Sequence, residues 1–190
     1  MSLNTKDYKK RNKIHPQTEN SKYHQCEFIP QHPEKLIGGA VLCRSSWETH
    51  LAQWCDLQPS VLQWGTEVIS ISYRDPSGVN LNEAKKYNID ITNPSVWPIH
   101  SYYPDFYIKL QTKDGKEHNM LIEIKPYAQT LKPTPISEKA KLKDVRRFNN
   151  EAKTFLKNDA KWKAARQWCE MHNMEFYIWT EKELKNMGLL

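Results

Sequence analysis

No stretch of this chain is apolar for long enough to cross a membrane, and its first residues lack the apolar core of a signal peptide. The expectation is a protein that makes no membrane contact. Cysteine pairing is also missing. Cys26, Cys43, Cys55 and Cys169 show no close paired spacing, so free thiols in a reducing compartment are expected rather than a disulfide framework. No internal repeat is visible. What remains is most simply one globular domain of 190 residues with some decoration, long enough for a real core.

Positive charge is in excess, with a net of +6 and a pI near 9.0, which favours a polyanionic partner. The excess is uneven. Between Lys139 and Arg166 there are ten Lys or Arg against three Asp or Glu, a net of +7. Lys6, Lys9, Lys10, Arg11 and Lys13 form a second basic group at the start. Such runs are equally well solvated faces or tails, so the charge alone names no partner. Residues 1–43 are polar, with scattered prolines and no sustained periodicity, and read as a basic arm or extended cover preceding a domain at 44–190. His15, His24, Cys26, His32 and Cys43 are potential zinc donors, but their spacing matches no familiar finger.

Ser45 followed by Glu48 has the form of a capping box, and Trp47, Leu51, Trp54 and Cys55 recur at helical spacing until Pro59. Residues 66–73 are rich in β-favouring types and predict a strand. Residues 74–101 show turn chemistry without a pattern and read as a long excursion. Residues 139–156 predict a basic helix. A second helix is expected over 159–172, capped by Asn158. Glu175–Trp179 has the near-continuous apolar character of a strand covered on both sides, and Thr180 with Glu183 opens a short last helix. The order predicts an α/β protein with a mixed sheet and helices packed against it.

The richest chemistry lies in two predicted strands, residues 103–110 and 119–126, joined by a turn at Lys113-Asp114-Gly115. Asp105 and Glu123 are each nine residues from Asp114, so a ladder centred there sets them directly opposite each other. Side chains alternate along a strand, so Glu123 and Lys125 share a face with Asp105. Two carboxylates and an ammonium then project from one side of a sheet. Hydrolysis of a phosphodiester needs negative charge stabilised and a nucleophile made from water, and a divalent ion with oxygen ligands does both. Asp105, Glu123 and the Ile124 carbonyl are candidate Mg²⁺ ligands, and Lys125 a candidate for orienting water or stabilising charge. Glu48 has two readings, helix cap or fourth site residue. For the hairpin, the opposing reading is a solvated strand face.

Pro104-Asp105 followed by Glu123-Ile124-Lys125 resembles the signature of the restriction-endonuclease-like nuclease superfamily, Pro-Asp…(Asp/Glu)-x-Lys. Within it the chain resembles the TnsA-type transposon endonucleases and, more closely, the head completion nucleases of T-even-like tailed phages. The motifs that carry this are Arg44-Ser45-Ser46-Trp47-Glu48, Trp54-Cys55-Asp56, Val61-Leu62-Gln63-Trp64, Tyr103-Pro104-Asp105-Phe106, Leu121 to Tyr127, Gln129-Thr130, residues 158–165 and residues 176–184.

The resemblance implies a restriction-endonuclease-like core and a metal-dependent DNA nuclease that finishes a DNA-filled phage head before the tail joins. It implies Glu48, Asp105, Glu123 and Lys125 as catalytic residues. The implied cofactor is Mg²⁺, with Mn²⁺ as a substitute, held by Glu48, Asp105, Glu123 and Ile124. Duplex DNA and proteins of the head and neck, at the portal vertex, are the implied partners, with Lys139, Lys141, Lys143, Arg146, Arg147 and Lys161 as candidate DNA contacts. The implied location is the host cytoplasm during assembly, with retention in the virion. Glu67, Gln129 and Lys161 fall in matching segments without an assigned role. The basic arm and the 74–101 connection are departures, and a chain ending here leaves no room for the C-terminal DNA-binding domain of a transposase. A non-catalytic head–tail joining protein and a repair or restriction-type endonuclease are the alternatives.

Overall fold

The computed structural model describes residues 26–190. The basic group before residue 14, together with His15 and His24, therefore lies outside the described residues. The described residues divide into two compact units, one of residues 26–69, 103–125 and 172–190 and the other of residues 70–102 and 126–171.

The first unit opens with strands β1 (Cys26–Phe28) and β2 (Val41–Cys43), paired antiparallel. Helix α1 (Ser46–Leu57) follows, then strands β3 (Val61–Thr66), β6 (Phe106–Gln111), β7 (Glu117–Ile124) and β8 (Glu175–Trp179), and helix α4 (Glu181–Asn186). The four long strands form one sheet in the order β3-β6-β7-β8, antiparallel except for the parallel β7–β8 pair. This is the expected mixed sheet. The β6–β7 register is the one set by the equal spacing about Asp114, with Phe106 opposite Ile122 and Gln111 opposite Glu117. Phe106, Ile108, Met120, Ile122 and Ile124 face a core that also takes Leu51, Ala52 and Cys55 of α1, Trp64 of β3 and Leu184 of α4. Fully burying each Leu, Ile, Phe or Met side chain of this set supplies about 1.5–3 kcal/mol.

Three expectations change in this unit. The described part of the arm is not a detached cover, because Val41 and Cys43 belong to the core. Asp56, 1% exposed, accepts the Gln31 and His32 N–H groups at 2.7 and 3.1 Å and pins the same segment to the end of α1. The strand expected over 66–73 is broken. β3 starts and ends earlier, and Glu67 turns the chain with φ 51°. Gly65 just before it is required, since a Cβ there would sit 2.6 Å from the Ile37 carbonyl oxygen. Finally, β8 is an edge strand with Tyr177 exposed, so it is not covered on both sides.

The second unit contains the supposed excursion, and it is ordered. Strands β4 (Ile71–Arg74) and β5 (Ile99–Tyr102) pair antiparallel, with helix α2 (Leu81–Lys86) between them, capped by Asn80. Its remaining helix, α3 (Leu142–Met171), runs unbroken for 30 residues where two helices were expected. Asn158 lies buried inside it and is no cap. No proline or glycine occurs between Pro135 and Gly188, so nothing in the backbone chemistry stops the helix. Asp75, 2% exposed, accepts Ser77 N–H and Oγ–H at 2.9 and 2.6 Å and pairs with Lys157 of α3 at 3.4 Å. All four cysteines are free, and no helix among the described residues is long and apolar enough to cross a membrane.

Candidate active site

Asp105 stands immediately before β6, following buried Pro104. Its Oδ2 accepts the Ile124 N–H at 2.7 Å, which ties it to the end of β7 beside Glu123. Glu123 is 2% exposed, and its Oε1 lies 2.9 Å from Lys125 Nζ. Lys125 is fixed by its own N–H donating to the Trp179 carbonyl at 3.0 Å. The solvated-face reading of the hairpin fails here, because β7 is buried on both faces from Met120 to Ile124.

Burial of Asp105, then the charge of Glu123, holds its carboxyl well above the ordinary carboxylate range, while Lys125 and the Ile124 N–H pull it back. Asp105 itself keeps some solvent exposure. Burial works to lower the Lys125 ammonium, but the charges of Asp105 and Glu123 outweigh it and raise its pKa. Its neighbours thus favour the charged form of Lys125.

Glu48 enters from α1. Ser45 caps the helix by accepting the Glu48 N–H at 3.2 Å, and its hydroxyl donates to Glu48 Oε1 at 2.9 Å. The glutamate reaches back one residue further than in a standard capping box, with Oε2 accepting the Arg44 N–H at 2.8 Å. Burial raises the Glu48 carboxyl, and Arg44 and Lys125 both act against that rise. Asp105 in turn feels the Glu48 charge. The capping reading of Glu48 holds, and its charge is also felt by the hairpin carboxylate of Asp105.

The three carboxylates do not form a ready cage. Among the described residues no three His, Cys, Asp or Glu side chains converge as a metal-binding group. The reason is visible in their partners: Asp105 is turned to Ile124, Glu123 to Lys125, and Glu48 to Arg44 and Ser45. The donor set still fits Mg²⁺, which is commonly held by one or two carboxylates with waters and phosphate oxygens completing its shell. A buried carboxyl raised by a neighbouring carboxylate is the setting in which a cation is most welcome.

Two residues without an assigned role in the sequence belong to this region. Arg44 pairs with Glu67 through both terminal guanidinium nitrogens. That bond raises the Arg44 pKa most, and the charges of Glu48 and Asp105 add to it. Nothing in their spacing, 23 residues apart, gives the pair away.

In the second unit Lys139 and Lys141, just before α3, and Lys143, Arg146 and Arg147 in its first turns are exposed. Lys161 differs from them. It is half-buried, with Nζ 5.2 Å from the Tyr102 ring centroid and 6.0 Å from that of Tyr73. A hollow of about 380 Å³ lined by Thr134, Pro135, Ile136, Arg147, Phe148 and Glu151 also lies in this unit and includes none of the carboxylates.

Residues 58–181 match the model of the TnsA-like endonuclease N-terminal domain, a stretch that holds Asp105, Glu123 and Lys125 but not Glu48. The head completion nuclease of Enterobacteria phage T4 is 30% identical over 167 residues, covering 85% of this chain and 94% of the relative.

Proposed function

This chain belongs to the TnsA-like endonuclease family and is a relative of the phage T4 head completion nuclease, and we propose that it is a Mg²⁺-dependent deoxyribonuclease acting on duplex DNA. The observation that carries the proposal is the placement of Asp105 and Glu123 together at one end of the β6–β7 hairpin, with Lys125 beside Glu123.

Asp105 and Glu123 are the groups that would hold Mg²⁺, with the Ile124 carbonyl and Glu48 able to complete the set. The ion supplies polarisation of a phosphoryl oxygen and a more acidic bound water. Ile124 N–H keeps Asp105 oriented. Lys125, held as a cation by its neighbours, offsets the charge that develops on the phosphoryl oxygens. Arg44 and the Glu48 cap fix the remaining side of the site. The exposed Lys139, Lys141, Lys143, Arg146 and Arg147 attract DNA phosphates without reading sequence.

The name of the T4 relative suggests the setting: DNA in a newly filled phage head, trimmed or cut so that the head is completed and the tail can join. The protein would then work in the host cytoplasm beside head and neck proteins and be retained in the virion. The test is incubation of purified protein with linear and supercoiled DNA in Mg²⁺ or Mn²⁺. Intact DNA under all conditions would overturn the reading. The cap-bound state of Glu48 favours one alternative, a joining protein that keeps the fold without the cleavage. Complementation by Asp105→Ala, with infectious particles restored, would establish that alternative.

A further inference from the structure

We infer that the Arg44–Glu67 ion pair is a positioning clamp, setting the helix carboxylate of Glu48 against the strand carboxylate of Asp105. The inference rests on the nuclease reading but concerns residues outside its catalytic set.

A short ring of contacts connects the two carboxylates. The Asp105 main-chain carbonyl accepts the Glu67 N–H at 3.2 Å. The Glu67 carboxylate holds both terminal nitrogens of the Arg44 guanidinium. The Arg44 backbone N–H donates to Glu48 Oε2 at 2.8 Å. Three links therefore join the start of α1 to the start of β6, two elements distant in sequence. The planar fork of arginine matches a carboxylate in two bonds and fixes its orientation, which a lysine does not.

The backbone at Glu67 supports a role beyond turning the chain. Three non-glycine residues among those described have positive φ: Glu67, Asn88 and Asn173. Asparagine tolerates that region, whereas glutamate is held there at a cost of about 1 kcal/mol or more. A glycine or asparagine would make the same turn with less strain. The glutamate supplies what neither does, a carboxylate for Arg44. Arg44 is committed to Glu67 by the fork, so its part is to place Glu48 rather than to grip DNA. Misplacement of a site group by about 1 Å is enough to lower a rate about 10²-fold.

Glu67→Gly separates the clamp from the fold, because glycine relaxes the strained backbone while removing the carboxylate. The experiment compares wild type, Glu67→Gly, Arg44→Lys and the double variant for thermal stability, for kcat and KM on linear duplex DNA with Mg²⁺, and for Mn²⁺ affinity by electron paramagnetic resonance. Glu67→Gly is expected to keep or raise stability, lower kcat about 10²-fold, leave KM unchanged and weaken Mn²⁺ binding about tenfold. The double variant should be no worse than either single one. Wild-type kcat and Mn²⁺ affinity in Glu67→Gly would overturn the clamp, and so would a raised KM with unchanged kcat, which marks a phosphate contact instead. If the wild type itself cuts nothing, the nuclease reading fails separately, and the Mn²⁺ affinities alone decide the clamp.

Discussion

The two units of this chain place their charges in opposite ways. In the first, Glu123 is buried, Asp105 and Glu48 are held partly out of water, and each carboxylate has a fixed donor from the protein. In the second, Lys139, Lys141, Lys143, Arg146 and Arg147 stand in solvent around the start of α3. Buried charges interact strongly over short distances and demand close placement. Exposed ones act weakly, over a Debye length, and are screened by salt. On the proposed function, the difference puts the chemistry in one region and the attraction for DNA in the other.

The largest effect should come from breaking the first region. Asp105→Asn is expected to lower cleavage about 10³-fold or more while leaving DNA affinity intact, measured by initial rates and gel shift. The same variant should change stability in a pH-dependent way. Because the folded-state pKa of Asp105 is raised, the folded protein holds this proton more tightly than the unfolded chain. Its contribution to stability is fully present below the ordinary carboxylate range and is lost as pH rises through the raised value. Without added metal, Asp105→Asn should therefore melt higher than wild type at neutral pH, and the gap should close in acid.

Lys125→Ala comes next. Removing the cation that faces Asp105 and Glu123 should lower kcat about 10²-fold with little change in KM. In the second region the effect is smaller and of another kind. Lys143→Gln/Arg146→Gln/Arg147→Gln should raise KM, leave kcat alone, and flatten the salt dependence by about 0.9 in log–log slope for each phosphate that is no longer neutralised. Smallest of all is Lys161→Met. Its ammonium sits over Tyr73 and Tyr102, so calorimetry should show about 1 kcal/mol less stability and an unchanged salt slope.

How much of this was legible in the sequence differs between the same two regions. Local rules sufficed for the hairpin: a Gly-containing turn and equal spacing about Asp114 fixed the register that sets Asp105 opposite Glu123. The Thr180 capping box and the β8 boundaries were equally local. Residues 70–102 were not readable, because β4 and β5 pair across 24 intervening residues and no turn signal announces that pairing. Asn158 misled for a physical reason. It has the chemistry of a cap, but here a buried position inside α3 overrides that preference. Arg44 and Glu67 were invisible as a pair, since their meeting depends on where β2 and β3 lie in the folded unit. Glu48 was readable as a cap, and the charges of Lys125 and Asp105 near it depend on the fold.

Buried carboxylates that cut and exposed cations that only attract make up the central claim. The most direct measurement is cleavage of linear duplex DNA with Mg²⁺ by wild type and Asp105→Asn, with DNA affinity measured on the same samples. Cutting by wild type, none by the variant, and equal affinity for both are the predicted results. Equal cutting by the two proteins, or intact DNA with wild type, would contradict the claim.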